Sequence, residues 1–223
     1  MNVIAAIIRK DLIVEYRSRQ TFIPTLFFGL LVLVVGNFSL SVAGEQQTII
    51  APGILWISFL FSGLLFLNHT LASEKEENSL AGLLISPTSP GKIFLGKMLS
   101  ATIFLVALET ILFPVFHILF NFPFTLNSLW LYLIIILAAV GYCSIGVLLA
   151  TMALGVKNRE ILLSVLLFPI LIPVLIMAVK ASIILLNQLK IEQFFNWLKL
   201  LLAFDIIYVV LSYWSYQWIL EDV

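Results

Sequence analysis

Six apolar runs, each of about 20 residues or more, constrain this chain before anything else does. A bilayer core of about 30 Å is crossed by roughly 20 such residues in a helix, because in hydrocarbon the backbone must satisfy its own hydrogen bonds. The runs occupy residues 21–43, 49–71, 98–120, 128–154, 161–186 and 196–220. The fold class expected is therefore an all-α integral membrane protein with six spans. The longest interval between runs, 72–97, is too short for a separate soluble domain, so 1–223 reads as one membrane domain.

Composition agrees. Of 223 residues, 62% are hydrophobic and 11% charged, whereas a soluble domain carries about a quarter of its residues as charges. Twelve Lys plus Arg balance twelve Asp plus Glu, which leaves no basic excess for nucleic acid. The lone Cys143 excludes an internal disulfide framework. The basic start followed by an apolar run ending in Ser41-Val42-Ala43 resembles a secretory signal. That run is longer than the roughly 7–15 residues of a signal core, so a retained first helix is expected.

Charge sets the orientation. With the N-terminus inside, Arg9, Lys10, Arg17, Arg19, Lys75, Lys92, Lys97, Lys157 and Arg159 are cytoplasmic. Only Lys190 and Lys199 fall outside, with Lys180 within the fifth run. Both termini are therefore expected in the cytoplasm. Trp130, Trp197 and the cluster Tyr213, Trp214, Tyr216, Trp218 lie near run ends, where aromatic belts belong.

The polar segments carry the functional information. In residues 1–20, Ile4, Ile8, Leu12 and Tyr16 recur every four positions while Arg9, Lys10, Arg17 and Arg19 occupy other faces. This predicts an amphipathic helix on the inner surface, either a lipid anchor or a docking element for a cytoplasmic protein. In 72–97, Ser73 and Glu76 have capping-box spacing, with Leu80, Leu83 and Leu84 following at helical spacing. Ser86-Pro87-Thr88-Ser89-Pro90-Gly91 then breaks the chain, with Ser89 placed to cap a helix beginning at Pro90. A short helix projecting Glu74, Glu76 and Glu77 reads as a surface held by another protein, or as a solvated loop.

Gly91-Lys92-Ile93-Phe94-Leu95-Gly96-Lys97 fits the spacing of a phosphate-binding loop, but Met98 stands where Ser or Thr must hold magnesium. No strand precedes it. ATP driving this chain would thus be hydrolysed by another subunit.

Ionisable groups inside a membrane are functional candidates by default. Here they are Glu109 and His117 in the third run, Lys180 in the fifth and Asp205 in the sixth, with Asn68 and His69 at the inner end of the second. A charged carboxylate at mid-span costs about 2.5–3.5 kcal/mol on insertion scales, so Glu109 is expected neutral or paired. Asp205 would suit a Lys or a polar helix face. Satisfied packing, which would tolerate Gln and Asn better than Leu, stands beside a role in a substrate path or switch. Pro169 and Pro173 lie four apart on one face of the fifth helix and should bend it. No hydrolase, zinc or c-type haem attachment motif occurs. His69 or His117 could ligate haem, but hydrogen-bonded structure is the plainer reading.

Three segments carry a resemblance: Ala51-Pro52-Gly53-Ile54-Leu55-Trp56; Glu76-Glu77-Asn78-Ser79-Leu80-Ala81-Gly82-Leu83-Leu84-Ile85-Ser86-Pro87 with Lys97 after it; and Leu163-Ser164-Val165-Leu166-Leu167-Phe168-Pro169-Ile170-Leu171-Ile172-Pro173. With six spans and a basic N-terminal helix, the sequence resembles the membrane subunits of type-2 ABC exporters, and among them the CcmB family of cytochrome c maturation proteins. The resemblance covers nearly the whole chain. It implies a permease subunit without its own ATPase or bound cofactor, working with a cytoplasmic ABC ATPase, a haem-handling membrane protein and a periplasmic haem chaperone. ATP hydrolysis would free the haem-loaded chaperone.

The expected ATPase contacts are Arg9, Lys10, Glu74, Glu76, Glu77, Leu80, Leu83 and Leu84, with a second copy of the chain completing the complex. A type-2 exporter of a drug, lipid or polysaccharide, or a membrane scaffold without an ATPase, shares these physical features.

Overall fold

All six apolar runs are helices, and a seventh helix precedes them. The computed structural model describes residues 3–40, 47–76, 88–153, 156, 158–187 and 191–221. The helices are α1 (Val3–Ser18), α2 (Phe22–Leu40), α3 (Gln47–Glu76), α4 (Pro90–Leu119), α5 (Leu126–Ala153), α6 (Arg159–Leu186) and α7 (Ile191–Glu221). Six of them, α2 to α7, are long and apolar enough to cross a membrane.

One helix boundary departs from expectation, and one expected cap is not formed. The helix α3 runs unbroken to Glu76, so Ser73 lies inside it and does not start a new helix. No breaker separates Leu71 from Glu76, and extending an existing helix is cheaper than nucleating another. The helix α4 starts eight positions before the third apolar run, at Pro90, after Ser89 in the extended N-cap conformation (φ −64°, ψ 138°). The Ser89 side chain makes no capping bond, so Pro90 at the first helical position defines this start.

The spans differ in enclosure: α5 is the most buried and α2 the least. The helix α5 packs against α3, α4, α6 and α7, whereas α2 leans on α3 and α4, and α1 crosses α4. Without a hydrophobic drive between helices in lipid, close approach at small residues and polar bonds must hold the bundle. Both are present. A Cβ at Gly63 of α3 would stand 2.6 Å from the Tyr142 ring of α5, and the Tyr142 hydroxyl donates to the Leu60 carbonyl at 3.0 Å. Trp56 Nε1 donates to Ser182 Oγ of α6 at 2.9 Å. Ser58 Oγ donates to the Gly29 carbonyl of α2 at 3.0 Å. Trp56, Phe59 and Tyr142 form a buried edge-to-face series, with centroids 5.2 and 5.6 Å apart.

Gly53 and Gly63 lie on the same helix but differ in surroundings, since a Cβ at Gly53 meets nothing within 4 Å. Thermal unfolding in detergent should show Gly53→Ala stabilising by about 0.5–1 kcal/mol, the helical glycine penalty. Gly63→Ala should destabilise by about 1–3 kcal/mol through overpacking on Tyr142. Each kcal/mol moves the midpoint roughly 2–4 °C in a chain of this size.

Candidate functional site

Three polar groupings bear on function: the end of the bundle where α1 sits, the carboxylates buried in the spans, and the two-proline segment of α6.

At the α1 end, residues of low sequence separation from the apolar runs lock together. Ile7 is buried against Gly96 of α4, where any Cβ would approach it to 2.9 Å. One turn on, Asp11 accepts a hydrogen bond from Ser100 Oγ at 3.0 Å while pairing with Lys10 at 3.3 Å. The link from α1 to α2 is tied to the polar end of α3 by Thr21 Oγ1 and His69 Nδ1, 3.1 Å apart. The helix α1, the polar end of α3 and the start of α4 therefore converge on one end of the bundle.

The stripe that grips α4 contains Ile7 and Asp11, whereas the expected stripe held Ile4, Ile8, Leu12 and Tyr16. Tyr16 is 77% exposed. The signal was present as i, i+3, i+4 neighbours of Ile4, but Asp11 on the gripping face masked it. Arg9 and Lys10 are exposed on α1. Glu74 and Glu76 belong to the last turns of α3. Glu77, Leu80, Leu83 and Leu84 lie outside the described residues.

Glu109 of α4 is fully buried, and neither of its oxygens has a hydrogen-bond partner among the described residues. Asp205 of α7 is 4% exposed and likewise unpartnered there. Its Oδ1 lies so close to Gly141 of α5 that a side chain at 141 would collide with it. The lysine imagined beside Asp205 is not supplied by Lys180, which is exposed on α6. Neither carboxyl group thus shows the satisfied packing that the sequence suggested.

His117 does show it. Buried near the end of α4, its Nδ1 contacts the Phe113 carbonyl at 3.1 Å and its Nε2 the Ser128 hydroxyl at 3.2 Å. Its ring stacks on Phe124 at 4.6 Å. Both nitrogens are engaged, so ligation of a metal would require breaking one of these bonds. Among the described residues no group of three or more His, Cys, Asp or Glu could hold a metal ion.

Pro169 and Pro173 both lie inside α6. The Tyr208 hydroxyl of α7 donates to the Ile170 carbonyl between them at 2.6 Å. A proline ring disturbs the preceding turn, and here a neighbouring helix braces that turn.

Replacing an unpartnered buried polar group by an apolar one of similar size is neutral or stabilising. Glu109→Leu should therefore leave thermal stability in detergent unchanged or raise it by up to about 3 kcal/mol. Asp205→Leu should lower it, because the added branch meets the Gly141 backbone, while Asp205→Asn should be tolerated.

Comparison with known proteins agrees with this architecture. The profile of the family described as CcmB protein matches residues 2–221. Heme exporter protein B of Pseudomonas aeruginosa is 28% identical over 182 residues, covering 81% of this chain and 80% of that protein. The proteins of the same name from Rhodobacter capsulatus and Paracoccus denitrificans are each 29% identical. Their alignments cover 77% of this chain and 78% of the former, and 79% and 80% for the latter. Matched across almost its entire length, this six-span membrane protein belongs to the CcmB family.

Proposed function

We propose that this chain is the permease subunit of a haem-exporting ABC system for c-type cytochrome biogenesis, and that a cytoplasmic partner hydrolyses the ATP. The observation that carries this reading is the family match over residues 2–221, which takes in the polar end and all six spans. Haem is cargo of the system and is handled on partner proteins. Nine Lys and Arg on one side against two on the other support an inner-membrane topology with both termini cytoplasmic.

The geometry gives the coupling a route. The ATPase docks on α1, at Arg9 and Lys10, and on the segment carrying Glu74, Glu76, Glu77, Leu80, Leu83 and Leu84. Closure of two ATPase subunits, one for each of two copies of this chain, moves these elements as rigid bodies. The seat of Ile7 on Gly96 and the Asp11–Ser100 bond pass the movement into α4. The output is release of the haem-loaded chaperone on the periplasmic side.

A mild-detergent pull-down of the tagged chain tests this, with ATPase assay and haem absorbance on the eluate. Wild type should bring down an ATPase and a haem-binding membrane protein. Glu74→Lys, Glu76→Lys and Glu77→Lys together should lose the ATPase while membrane insertion is unchanged, and retention of the ATPase would overturn the docking assignment. An ATPase without a haem protein would mean another type-2 exporter; no ATPase would mean a scaffold.

A further inference from the structure

A cleft of 1020 Å³ lies between α1, the start of α2 and the middle of α4. Pockets for small ligands span roughly 300–1,000 Å³, so this one is large. Its floor includes Ile23 and Leu26 of α2 and Ile103 and Ala107 of α4. Ile23 and Ile103 are exposed at 58% and 45%, although both belong to spans, so the floor opens onto lipid.

The α1 wall of the cleft carries Arg9 and Arg19, with Glu15 as the acid between them. Glu15 Oε1 accepts the Phe22 backbone N–H at 3.1 Å and keeps its charge. Asp11, the other acid of α1, is held by Ser100 and Lys10. Two arginines beside one glutamate leave one net positive charge along an otherwise apolar groove. Arg19 adds a second point. It has φ 52°, the left-handed backbone that ends helices and favours glycine or asparagine. A long cation, lying over the Tyr16 ring at 5.9 Å, stands there instead.

A groove that is apolar along the spans and net cationic along α1 complements one kind of molecule. We propose that the cleft binds one anionic phospholipid, its headgroup between Arg9 and Arg19 and an acyl chain along Ile23, Leu26, Ile103 and Ala107. The two arginines are ten residues apart, roughly 15 Å along α1, so the headgroup lies along the α1 wall between them. A zwitterionic lipid fits the floor but leaves the net positive charge uncompensated. The lipid fills the seam between α1 and the spans, so α1 is seated by the membrane as well as by α4. This site is independent of the cargo that the system moves.

The test uses the full-length chain, reconstituted in phosphatidylcholine nanodiscs doped with phosphatidylglycerol, then re-extracted, with retained lipid quantified by mass spectrometry. Wild type should retain phosphatidylglycerol in preference to phosphatidylcholine, and adding phosphatidylglycerol to delipidated protein should raise its melting temperature. Each of Arg9→Gln and Arg19→Gln should weaken that preference about fivefold. Arg9→Lys and Arg19→Lys should keep most of it. Ala107→Phe, which fills the floor at an exposed position, should reduce retention with both arginines intact. Equal retention of the two lipids by wild type, or an unchanged preference in the double Gln variant, would overturn the proposal. So would an Ala107→Phe variant that alters oligomeric state but not lipid retention, since a second copy would then occupy the cleft.

Discussion

In hydrocarbon a backbone amide or carbonyl without a partner has no water to turn to, and each one costs several kcal/mol. Every proline inside a span therefore poses a problem that a neighbour must solve. Pro52 removes the N–H that would have met the Thr48 carbonyl, and Asn187 Nδ2 at the end of α6 donates to that oxygen at 3.2 Å. Beside Pro169 and Pro173 the Tyr208 hydroxyl plays the bracing part. At the end of α4, Asn37 Nδ2 of α2 donates to the Leu119 carbonyl at 2.6 Å. At Pro52 the bond that repairs the backbone is also a bond that joins two helices.

The same constraint explains why so much of the architecture was legible in one sequence. Apolar length alone locates α2 to α7, since a helix that must cross lipid advertises itself residue by residue. Proline at a helix start is equally local, and Pro90 marks the start of α4 as expected. What failed was the weighing of local against continuous structure: the cap at Ser73 yields to a helix already propagating from Gln47. What could not be read at all depends on partners distant in sequence. Nothing near residue 205 announces that its carboxyl group lies on the Gly141 backbone, 64 positions away. Ile7 and Ile8 are interchangeable by hydropathy, and only the absent side chain of Gly96 decides which of them is buried.

That glycine belongs to a pattern. Gly91 leaves room for the Tyr213 ring of α7, where any Cβ at 91 would collide with it, as Gly96 leaves room for Ile7 of α1. Phe94, between them, is buried with its ring 5.3 Å from that of Tyr216. The first two turns of α4 are thus wedged between α1 and α7 with no spare volume. Close-packed contacts of this kind shift as units, because a gap of even half an ångström forfeits much of their attraction.

A push on α1 therefore meets α4 where Ile7 seats on Gly96, and meets α7 through the packed first turns of α4. These are the helices that carry the two unpartnered carboxyl groups, Glu109 on α4 and Asp205 on α7. The helix α7 also holds the two-proline segment of α6 through Tyr208, one turn beyond Asp205. The polar end of the bundle and its buried acids thus share α4, which has its closest contacts with α1 and α7 at Gly96 and Gly91.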